Sequence, residues 1–426
     1  MLYDRWRQIS QAHARGLALR DDATGRSWTF TQLAAAAEGG DGGGSAGGVA
    51  FPEGSSAEFV IDVLRAWRIN RAVCPLDAGQ GRIDFGKLPA RCAHVKTTSA
   101  TTGASRALIF TGEQLAADAE NIVATMGLRP DWPNLGVISL AHSYGFSSLV
   151  LPLLLHGIPL ILAPSPLPEV VRRVADSLDH LTLPAVPALW RTWHEAGVIP
   201  KNVRLAISAG APLPLALEQA VHERAGLKIH NFYGASECGG IAYDATETPR
   251  DDAACVGSAM KNVALAVGSS CGLEVRSRAV GQGYWPEQDD TLGGGCFRTT
   301  DLAELKEGMV FLRGRAGEQI NVAGRKVSPD TIERALLAQP CVRECLVFGV
   351  PEQDAGRGDL IVACVAGIAG IAGTPEAAAE TLKQSLLRVL PAWQVPREWV
   401  FVEALPVNAR GKLSRAEWRR RFVEGK

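Results

Sequence analysis

The middle of the chain alternates short apolar runs with stretches whose apolar residues recur at helical spacing. A short apolar run bounded by turn residues is typical of a buried strand, and the intervening spacing is typical of amphipathic helices. Strands that alternate with helices favour parallel sheets with helices packed on their faces. We therefore predict an α/β fold of layered parallel sheets, with candidate strands at 135–140, 159–163, 181–186, 204–209 and 227–232.

The length of the chain predicts more than one domain. A chain of 426 residues exceeds the size that one hydrophobic core usually serves. From Gly257 to Trp285 the apolar runs are shorter and strand-like, which indicates a β-rich subdomain. We expect a large N-terminal domain over 1–316 and a small α+β domain over 317–426. The second domain has predicted helices at 329–338 and 375–389 and a predicted strand at 345–350.

Two local patterns in the N-terminal half carry structural predictions. Trp28-Thr29-Phe30 indicates a strand, and Thr31 is a candidate N-cap for the helix that follows. The stretch Ser147–Pro164 is almost entirely apolar and long enough to suggest a membrane span. Because Pro152 and the pair His156-Gly157 interrupt it, we predict a buried helix and then a buried strand, with no membrane span.

The charge balance and the cysteines limit the class of protein. The formal net charge is −1, so there is no basic excess that would attract nucleic acid. The chain has nine cysteines without a Cys-x-x-Cys pair, and it does not open on a secretory signal pattern; both facts indicate free thiols in a reducing cytoplasm. Cys341 and Cys345 have the spacing of one helical turn, but we predict a strand there and therefore no metal site.

Three short segments combine residue types suited to a phosphorylated ligand. Thr97–Arg106 is a run of hydroxyl and small residues that ends in a cation, and such a run lets backbone amides approach a phosphate closely. Tyr233 is suited to stacking on a base, and Glu237 offers the hard oxygen ligands that Mg²⁺ prefers. Asp301 follows a predicted short strand and can accept two hydrogen bonds from ribose hydroxyls. Each segment is also compatible with an ordinary loop, turn or cap.

The order of these and further motifs is more specific than any one of them. The sequence contains, in this order, TTSATTG, LAHSYGF, SAGAPLP, NFYGASE, GLEVRSRAVGQGYW, FRTTDL, GRAGEQINVAGRKVSPDTIE and LPVNARGKLSR. Together they resemble the motifs of the acyl-adenylate-forming superfamily, which includes acyl-CoA synthetases, stand-alone adenylation domains and beetle luciferases. The resemblance extends from about Ala18 to Arg415. It implies a large adenylation domain and a small, mobile C-terminal domain.

The resemblance also assigns a nucleotide site. It implies a phosphate loop over Thr98–Arg106, a tyrosine that stacks on adenine at Tyr233, a ribose-binding aspartate at Asp301 and an arginine at Arg315 that reaches ribose and phosphate. Gly210-Ala211-Pro212 would line the adenine and acyl pocket. The expected ATP-binding residues are Thr98, Ser99, Thr101, Thr102, Gly103, Gly210, Ala211, Pro212, Tyr233, Gly234, Ser236, Asp301 and Arg315.

The implied reaction has two steps. The carboxylate of a fatty or aryl acid attacks the α-phosphorus of ATP, pyrophosphate leaves, and a thiol then takes the acyl group. Positive charge from Lys412, Arg106 and Mg²⁺ on Glu237 would stabilise the first transition state, and His142 would lie beside the carboxylate. The implied thiol is that of coenzyme A or of the phosphopantetheine arm of an acyl carrier protein, and the sequence leaves this choice open.

Several positions depart from the family's pattern. Ala100 replaces a glycine and Arg106 a lysine in the phosphate loop, and Gly317 stands where the hinge usually has Asp or Lys. The short interval between Asp77 and that loop predicts a shortened N-terminal subdomain. These departures keep open a second hypothesis, a non-catalytic nucleotide- or acyl-binding homologue; a luciferase-type oxygenase is a third. No acidic residue stands near His142 in the sequence, so we expect the substrate not to be an amino acid.

Overall fold

The computed structural model of the protein describes residues 1–39, 48–98, 106–287, 289–351, 358–367, 374–405 and 414–424, without the side chain of Thr98. Its helices are α1 (Leu2–Ala12), α2 (Phe30–Glu38), α3 (Ala57–Arg68), α4 (Gly112–Met126), α5 (Ser143–Gly145), α6 (Leu151–His156), α7 (Pro168–Ala175), α8 (Pro187–Ala196), α9 (Leu215–Ala225), α10 (Pro329–Leu337), α11 (Pro375–Leu387) and α12 (Arg415–Glu424). A π-helical turn, Phe146–Val150, joins α5 to α6, and 3₁₀ turns cover Ala316–Glu318 and Ala392–Gln394.

The strands up to Trp285 are β1 (Leu17–Asp21), β2 (Arg26–Thr29), β3 (Val49–Ala50), β4 (Ala72–Val73), β5 (Cys92–Thr98), β6 (Arg106–Thr111), β7 (Asn134–Gly136), β8 (Leu160–Leu162), β9 (Leu181–Ala185), β10 (Val203–Ser208), β11 (Ile229–Ala235), β12 (Gly239–Tyr243), β13 (Cys255–Ala259), β14 (Ala264–Val267), β15 (Gly272–Arg276) and β16 (Gly283–Trp285). The later strands are β17 (Leu292–Gly293), β18 (Cys296–Lys306), β19 (Met309–Arg315), β20 (Ile320–Val322), β21 (Arg325–Val327), β22 (Glu344–Pro351), β23 (Asp359–Ala366) and β24 (Glu398–Val402).

Among the described residues, fourteen strands form one large mixed sheet. Its order is β14-β15-β18-β19-β13-β12-β11-β10-β9-β7-β8-β1-β2, and β17 pairs with β18. The section from β11 to β1 is parallel, whereas β12, β13, β19, β18, β15 and β14 extend it with antiparallel pairs. The predicted β-rich subdomain therefore continues the main sheet on one side of β11.

A second sheet of five strands has the order β16-β6-β5-β4-β3. Its strands β5 and β6 flank the expected phosphate loop, and β16 pairs with β6 although it is far away in sequence. Together the two sheets and the helices between them confirm the predicted α/β fold of layered sheets.

The chain after Arg315 forms its own small sheets. The hairpin β20–β21 is one of them, and β22-β23-β24 is the other. A separate apolar core includes Ile320 and Ile332 with Val347 and Leu386. These elements confirm the predicted small α+β unit at the C-terminal end.

The apolar stretch Ser147–Pro164 folds as predicted. It forms the end of the π-helical turn, then α6 and β8, and Gly157 ends α6 in a left-handed conformation with φ of 71°. Leu153, Leu154 and Leu155 are fully buried. In the part of the chain that the structure describes, no helix combines the length and apolar character needed to cross a membrane.

Two local predictions were wrong. The N-cap of α2 is Thr29, whose side chain accepts a hydrogen bond from the amide of Gln32, and Thr31 lies inside the helix. The predicted strand at 135–140 ends at Gly136, because the chain then leaves the sheet and the amide of Leu140 binds Ser55 Oγ at 3.1 Å. In both cases the predicted boundary, the start of α2 or the end of β7, lies a few residues too far along the chain.

Candidate active site

The carboxyl ends of three parallel strands meet at one edge of the large sheet. β9, β10 and β11 run in register, with Ala185 opposite Ser208 and Ser208 opposite Asn231. Gly210 follows β10 with φ of 86°, and a Cβ atom there would lie 3.4 Å from Val186 Cγ1. Ligands in parallel α/β sheets bind at such edges, so Gly210 and its exposed neighbours Ala211 and Pro212 border the candidate site.

The turn from β11 to β12 brings Ser236 and Glu237 to the same edge. Gly239 opens β12 with φ of 71°, and a Cβ atom there would lie 2.0 Å from Asp118 Oδ1. Asp118 lies on α4, and its carboxylate accepts hydrogen bonds from the Gly240 amide at 3.2 Å and from Ser147 Oγ at 2.6 Å. A glycine at 239 is therefore required for this turn to pack on α4.

Asp301 and Arg315 are brought together by strand pairing. They lie directly opposite each other on β18 and β19, and Arg315 Nε donates to Asp301 Oδ1 at 3.0 Å. The hydroxyl of Tyr233 donates to Asp301 Oδ2. Burial raises the pKa of the Tyr233 hydroxyl well above its usual value, and the charge of Asp301 adds to the shift. Asp301 lies within β18. The prediction that it follows a short strand was therefore wrong.

Glu237 shares a neighbour, Tyr284, with the cation that ends the expected phosphate loop. Its Oε1 accepts a hydrogen bond from the Tyr284 hydroxyl at 3.2 Å. The guanidinium carbon of Arg106 lies 3.9 Å from the centre of the Tyr284 ring. Burial raises the pKa of Tyr284, and the neighbouring Glu237 charge adds to this, so the phenol stays protonated and donates. Tyr284, which the sequence analysis did not single out, therefore connects Arg106 to Glu237.

His142 is the N-cap residue of α5 and borders the same region. The next residue, Ser143, donates from its Oγ to Ser236 Oγ at 3.0 Å, which ties the start of α5 to the turn that carries Glu237. His142 Nε2 lies 3.2 Å from Asp77 Oδ2, and Ser139 Oγ donates to the other oxygen of Asp77 at 2.7 Å. No acidic residue stands near His142 in the sequence, but Asp77 reaches it in space from the loop after β4.

A buried lysine beneath the site was also missed. Lys96 lies on β5, and its Nζ donates to the Ser236 carbonyl oxygen at 3.4 Å and lies 4.4 Å from the Phe110 ring centre. Burial lowers the pKa of Lys96, against the opposing effect of Asp118. A lysine within the apolar strand AHVKTT was the available sequence signal, since buried lysines need specific partners.

The neighbouring cysteine does not fit a nucleophile. Cys238 is fully buried, and burial raises the pKa of its thiol well above the usual value. A thiol of this kind stays protonated and is a poor nucleophile. Within the described residues, no cluster of three or more His, Cys, Asp or Glu side chains is arranged to hold a metal ion, so Glu237 would need other ligands.

The structure thus brings most of the predicted residues to one edge of the sheet. They are His142, Gly210, Ala211, Pro212, Tyr233, Gly234, Ser236, Glu237, Asp301, Arg315 and Arg106. The predicted phosphate-loop residues Ser99, Thr101, Thr102 and Gly103, the side chain of Thr98 and the predicted catalytic Lys412 lie outside the described residues.

Family models match both parts of the chain. Residues 87–285 match the model described as AMP-binding enzyme, and residues 331–412 match that of the AMP-binding enzyme C-terminal domain. A protein named as a probable 2-succinylbenzoate–CoA ligase of Mycobacterium tuberculosis is 29% identical over 78% of this chain and 85% of its own length. The mitochondrial malonate–CoA ligase of Mus musculus is 27% identical over 77% of this chain and 64% of its own.

Solved structures have the same fold. The ATP-bound MatB of Rhodopseudomonas palustris superimposes with a TM-score of 0.85 at 20% identity and covers 99% of both chains. The o-succinylbenzoate–CoA synthetase of Bacillus subtilis, solved with its acyl-adenylate intermediate, gives 0.84 at 18% identity over 97% of both chains. The chain therefore belongs to the acyl-adenylate-forming superfamily, as an ATP-dependent, AMP-forming ligase that joins a carboxylic acid to a thiol.

Proposed function

We propose that the chain binds the nucleoside of ATP with Tyr233, Asp301 and Arg315 and activates a fatty or aryl carboxylic acid beside His142. The observation that carries this proposal is the convergence of two polar clusters at one sheet edge. One is Asp301 with Tyr233 and Arg315, and the other is Glu237 with Tyr284 and Arg106. A carboxylate that is oriented by one partner on each oxygen keeps lone pairs for two ribose hydroxyls, and a carboxylate joined to a cation through Tyr284 suits a metal-bound phosphate.

Glu237 fits a magnesium ligand. Its side chain is partly exposed, and the partner described for it is the Tyr284 hydroxyl on Oε1, so Oε2 is the oxygen we propose for a cation. Mg²⁺ in nucleotide enzymes usually takes one or two protein carboxylates and completes its shell with phosphate oxygens and waters. When bound there, Mg²⁺ would neutralise charge on the leaving pyrophosphate. Arg106 would add a fixed positive charge on the same side, and Lys412 would add one from the C-terminal unit.

The acid would bind between α5 and the ends of β9 and β10. The hydroxyl of Tyr144 lies 3.5 Å from the Ala185 carbonyl oxygen and 3.4 Å from that of Ile207, so this side chain joins α5 to β9 and β10. Both carboxylate oxygens of Asp77 already have partners in Ser139 and His142. The relatives named for 2-succinylbenzoate, malonate and ferulate support a substrate without an α-ammonium group.

We propose coenzyme A as the thiol acceptor, in line with the relatives named as CoA ligases. A carrier-protein pantetheine arm is the alternative, since it presents the same thiol. We place the reaction in the cytoplasm, where thiols stay reduced. The nine cysteines are free thiols in the described part of the chain.

The test is release of pyrophosphate from ATP and Mg²⁺ with a panel of fatty, aryl, dicarboxylic and amino acids, with hydroxylamine to trap the adenylate. We expect turnover with one class of acid other than the amino acids, followed by thioester formation with coenzyme A. The variant Lys412→Ala should lose adenylate formation and keep thioester formation from supplied acyl-adenylate. Tight ATP binding without turnover on any acid would contradict the proposal.

A further inference from the structure

Tyr284 connects two groups that come from distant parts of the chain. Its ring lies under the guanidinium of Arg106, at 3.9 Å from the ring centre, and its hydroxyl donates to Glu237 Oε1 at 3.2 Å. Tyr284 is 8% exposed, whereas the side chain of Arg106 is exposed and that of Glu237 is partly exposed. A ring that holds a cation on its face and a carboxylate at its hydroxyl fixes the separation of the two charges.

Strand register explains how Tyr284 reaches Arg106. β16 pairs antiparallel with β6, and Tyr284 lies opposite Leu108. Residues two apart on a strand share a face, so Arg106 is on the same face as Leu108 and diagonal to Tyr284. Long side chains interact across such a diagonal. The stacking is therefore fixed by backbone pairing of the second sheet.

Asp289 holds Arg106 from another direction. Arg106 Nη2 donates to Asp289 Oδ2 at 3.1 Å. The other oxygen of Asp289 accepts from the Thr291 amide at 2.9 Å and from Thr291 Oγ1 at 2.6 Å, so this carboxylate is itself fixed. The guanidinium is thus oriented both by a ring and by a carboxylate, which uses its planar shape as well as its charge.

We infer that Tyr284 is a positioning residue that couples magnesium binding at Glu237 to phosphate binding at Arg106. This inference rests on the proposed function, since it takes Glu237 as the magnesium ligand. The Tyr284 hydroxyl engages Oε1, and Oε2 is the oxygen that would bind the cation. Partners of this kind that orient metal-ligating carboxylates typically account for about 10- to 100-fold in metal affinity or activity. Arg106, held on the same ring, would supply its positive charge to the phosphates that accompany the metal.

Two variants separate the two contacts of Tyr284. Tyr284→Phe keeps the ring under Arg106 and removes the hydroxyl, whereas Arg106→Lys keeps the charge and removes the planar group. The readout is calorimetric binding of a non-hydrolysable ATP analogue at a series of Mg²⁺ concentrations. Tyr284→Phe should require about tenfold more Mg²⁺ for half-maximal analogue binding, with its metal-free affinity unchanged. Arg106→Lys should weaken analogue binding about tenfold at every Mg²⁺ concentration.

The control for loss of a tyrosine hydroxyl is Tyr243→Phe. Tyr243 is also buried but stacks on His230, outside the cluster of Tyr284, Arg106 and Glu237. The Tyr243→Phe variant should bind the analogue with the wild-type Mg²⁺ requirement. The double variant Tyr284→Leu with Arg106→Lys should lose less affinity than the sum of the losses of its two single variants, because both of them disrupt the same ring contact.

The outcomes distinguish this inference from the proposed function. If the wild-type protein binds the analogue and Tyr284→Phe has an unchanged Mg²⁺ requirement, the coupling through Tyr284 is wrong and the ligase proposal stands. Equal losses for Tyr284→Phe and Tyr243→Phe would also overturn it, because both would then report general destabilisation. If the wild-type protein binds no analogue with or without Mg²⁺, the inference and the proposed function fall together.

Discussion

Asp301 illustrates how a single side chain can organise the nucleotide site. It accepts from Tyr233 on β11 and from Arg315 on β19, so the carboxylate orients groups from two other strands. Asp301 is partly buried, whereas Arg315 is more than half exposed as a side chain. The carboxylate is therefore held in place before any ligand arrives, and pre-oriented groups lose less entropy on binding.

Asp301→Asn tests this role at the residue scale. The amide removes the charge that Arg315 and Tyr233 engage, and hydrogen bonds to charged groups contribute about 1.5–3 kcal/mol. We expect ATP-analogue binding to weaken roughly 10- to 100-fold, measured by calorimetry. Glu304→Gln is the matched control, since Glu304 lies on the same strand and pairs with Arg313 at the surface. Equal effects of the two variants would remove Asp301 from the nucleotide site.

At this scale the sequence predicted residues that stand in motifs, and it missed residues whose role depends on distant pairing. Tyr233, Glu237, Asp301 and Arg315 follow from motif order. Tyr284 acts through the pairing of β16 with β6, and Asp77 through a loop that reaches α5. Neither contact has a local signal, because partners far apart in sequence are joined only by the fold.

At the scale of elements, a buried ionic cluster fixes the strand that carries Tyr233. Lys228, just before β11, bonds Glu218 on α9 and also lies 2.7 Å from Asp244, just after β12. Arg250 Nε donates to Glu218 Oε2 at 2.9 Å, and its Nη2 donates to the Leu213 carbonyl oxygen at 2.8 Å. The cluster therefore joins α9, β11 and β12 to the segment that follows Gly210-Ala211-Pro212.

Lys228→Met tests the contribution of this cluster to stability. Glu218 and Asp244 are fully buried, so removal of the lysine leaves carboxylate charge uncompensated. Breaking a buried ion pair by deleting one partner costs about 3–5 kcal/mol. We expect a loss of this size in the free energy of unfolding, measured with denaturant. Lys201→Met, at an exposed lysine, should change it by less than about 0.5 kcal/mol. A loss below about 1 kcal/mol for Lys228→Met would mean that the cluster adds little.

The joint between α1 and α6 predicts acid sensitivity. Burial lowers the pKa of His156 to about 4, and the positive charge of Arg5, whose Nη2 lies 3.1 Å from His156 Nε2, contributes to this. Burial also lowers the pKa of His94 well below its usual value, with a contribution from Lys96. Below pH 6.5 the unfolded chain takes up protons that the folded protein excludes, so stability falls as the pH drops from about 6.5 toward 4.

His156→Gln should reduce this acid sensitivity. Glutamine can still accept the hydrogen bond from Arg5 but takes up no proton in the unfolded chain. Between pH 7 and pH 5 the variant should lose about 1 kcal/mol less stability than the wild-type protein, a figure already reduced for the partial exposure of His156. Denaturant unfolding of both proteins at both pH values measures this difference in stability loss. Parallel losses in the two proteins would show that His156 does not titrate on unfolding.

At this scale, prediction from the sequence is least accurate at the ends of helices and strands. Capping at Thr29 in place of Thr31 and the early end of β7 are shifts of a few residues, because several polar residues compete for each end. Strands β8 to β10 and helices α10 and α11 match the predicted positions closely, whereas β11 begins and ends a few residues later than predicted. Their apolar faces are buried in the main cores, and burial is what the spacing of apolar residues reports.

At the scale of the whole molecule, one acidic residue stands between the two units. Glu318 follows Gly317 in the short turn after β19. Its carboxylate lies 3.8 Å from Arg315, which belongs to the nucleotide cluster, and it also accepts from Arg415 at the start of α12. Arg415 further engages Asp330 at 2.5 Å and Glu333 at 2.6 Å on α10.

Arg415→Ala tests whether this arrangement serves the first half-reaction. Arg415 closely follows the proposed catalytic Lys412 in the sequence, and its contact with Glu333 fixes the start of α12 to α10. Its loss leaves three carboxylates without their shared cation. We expect adenylate formation to fall at least about tenfold, while thioester formation from supplied acyl-adenylate changes by less than about twofold.

The control is Arg419→Ala, an exposed position on the same helix, which should leave both half-reactions unchanged. Hydroxylamine trapping measures the first step and thiol consumption the second, with thermal unfolding as a check on folding. If Arg415→Ala lowers both half-reactions equally, then the cation stabilises the C-terminal unit as a whole. In that case the position of the lysine segment in the first step does not depend on the contact with Glu318, Asp330 and Glu333.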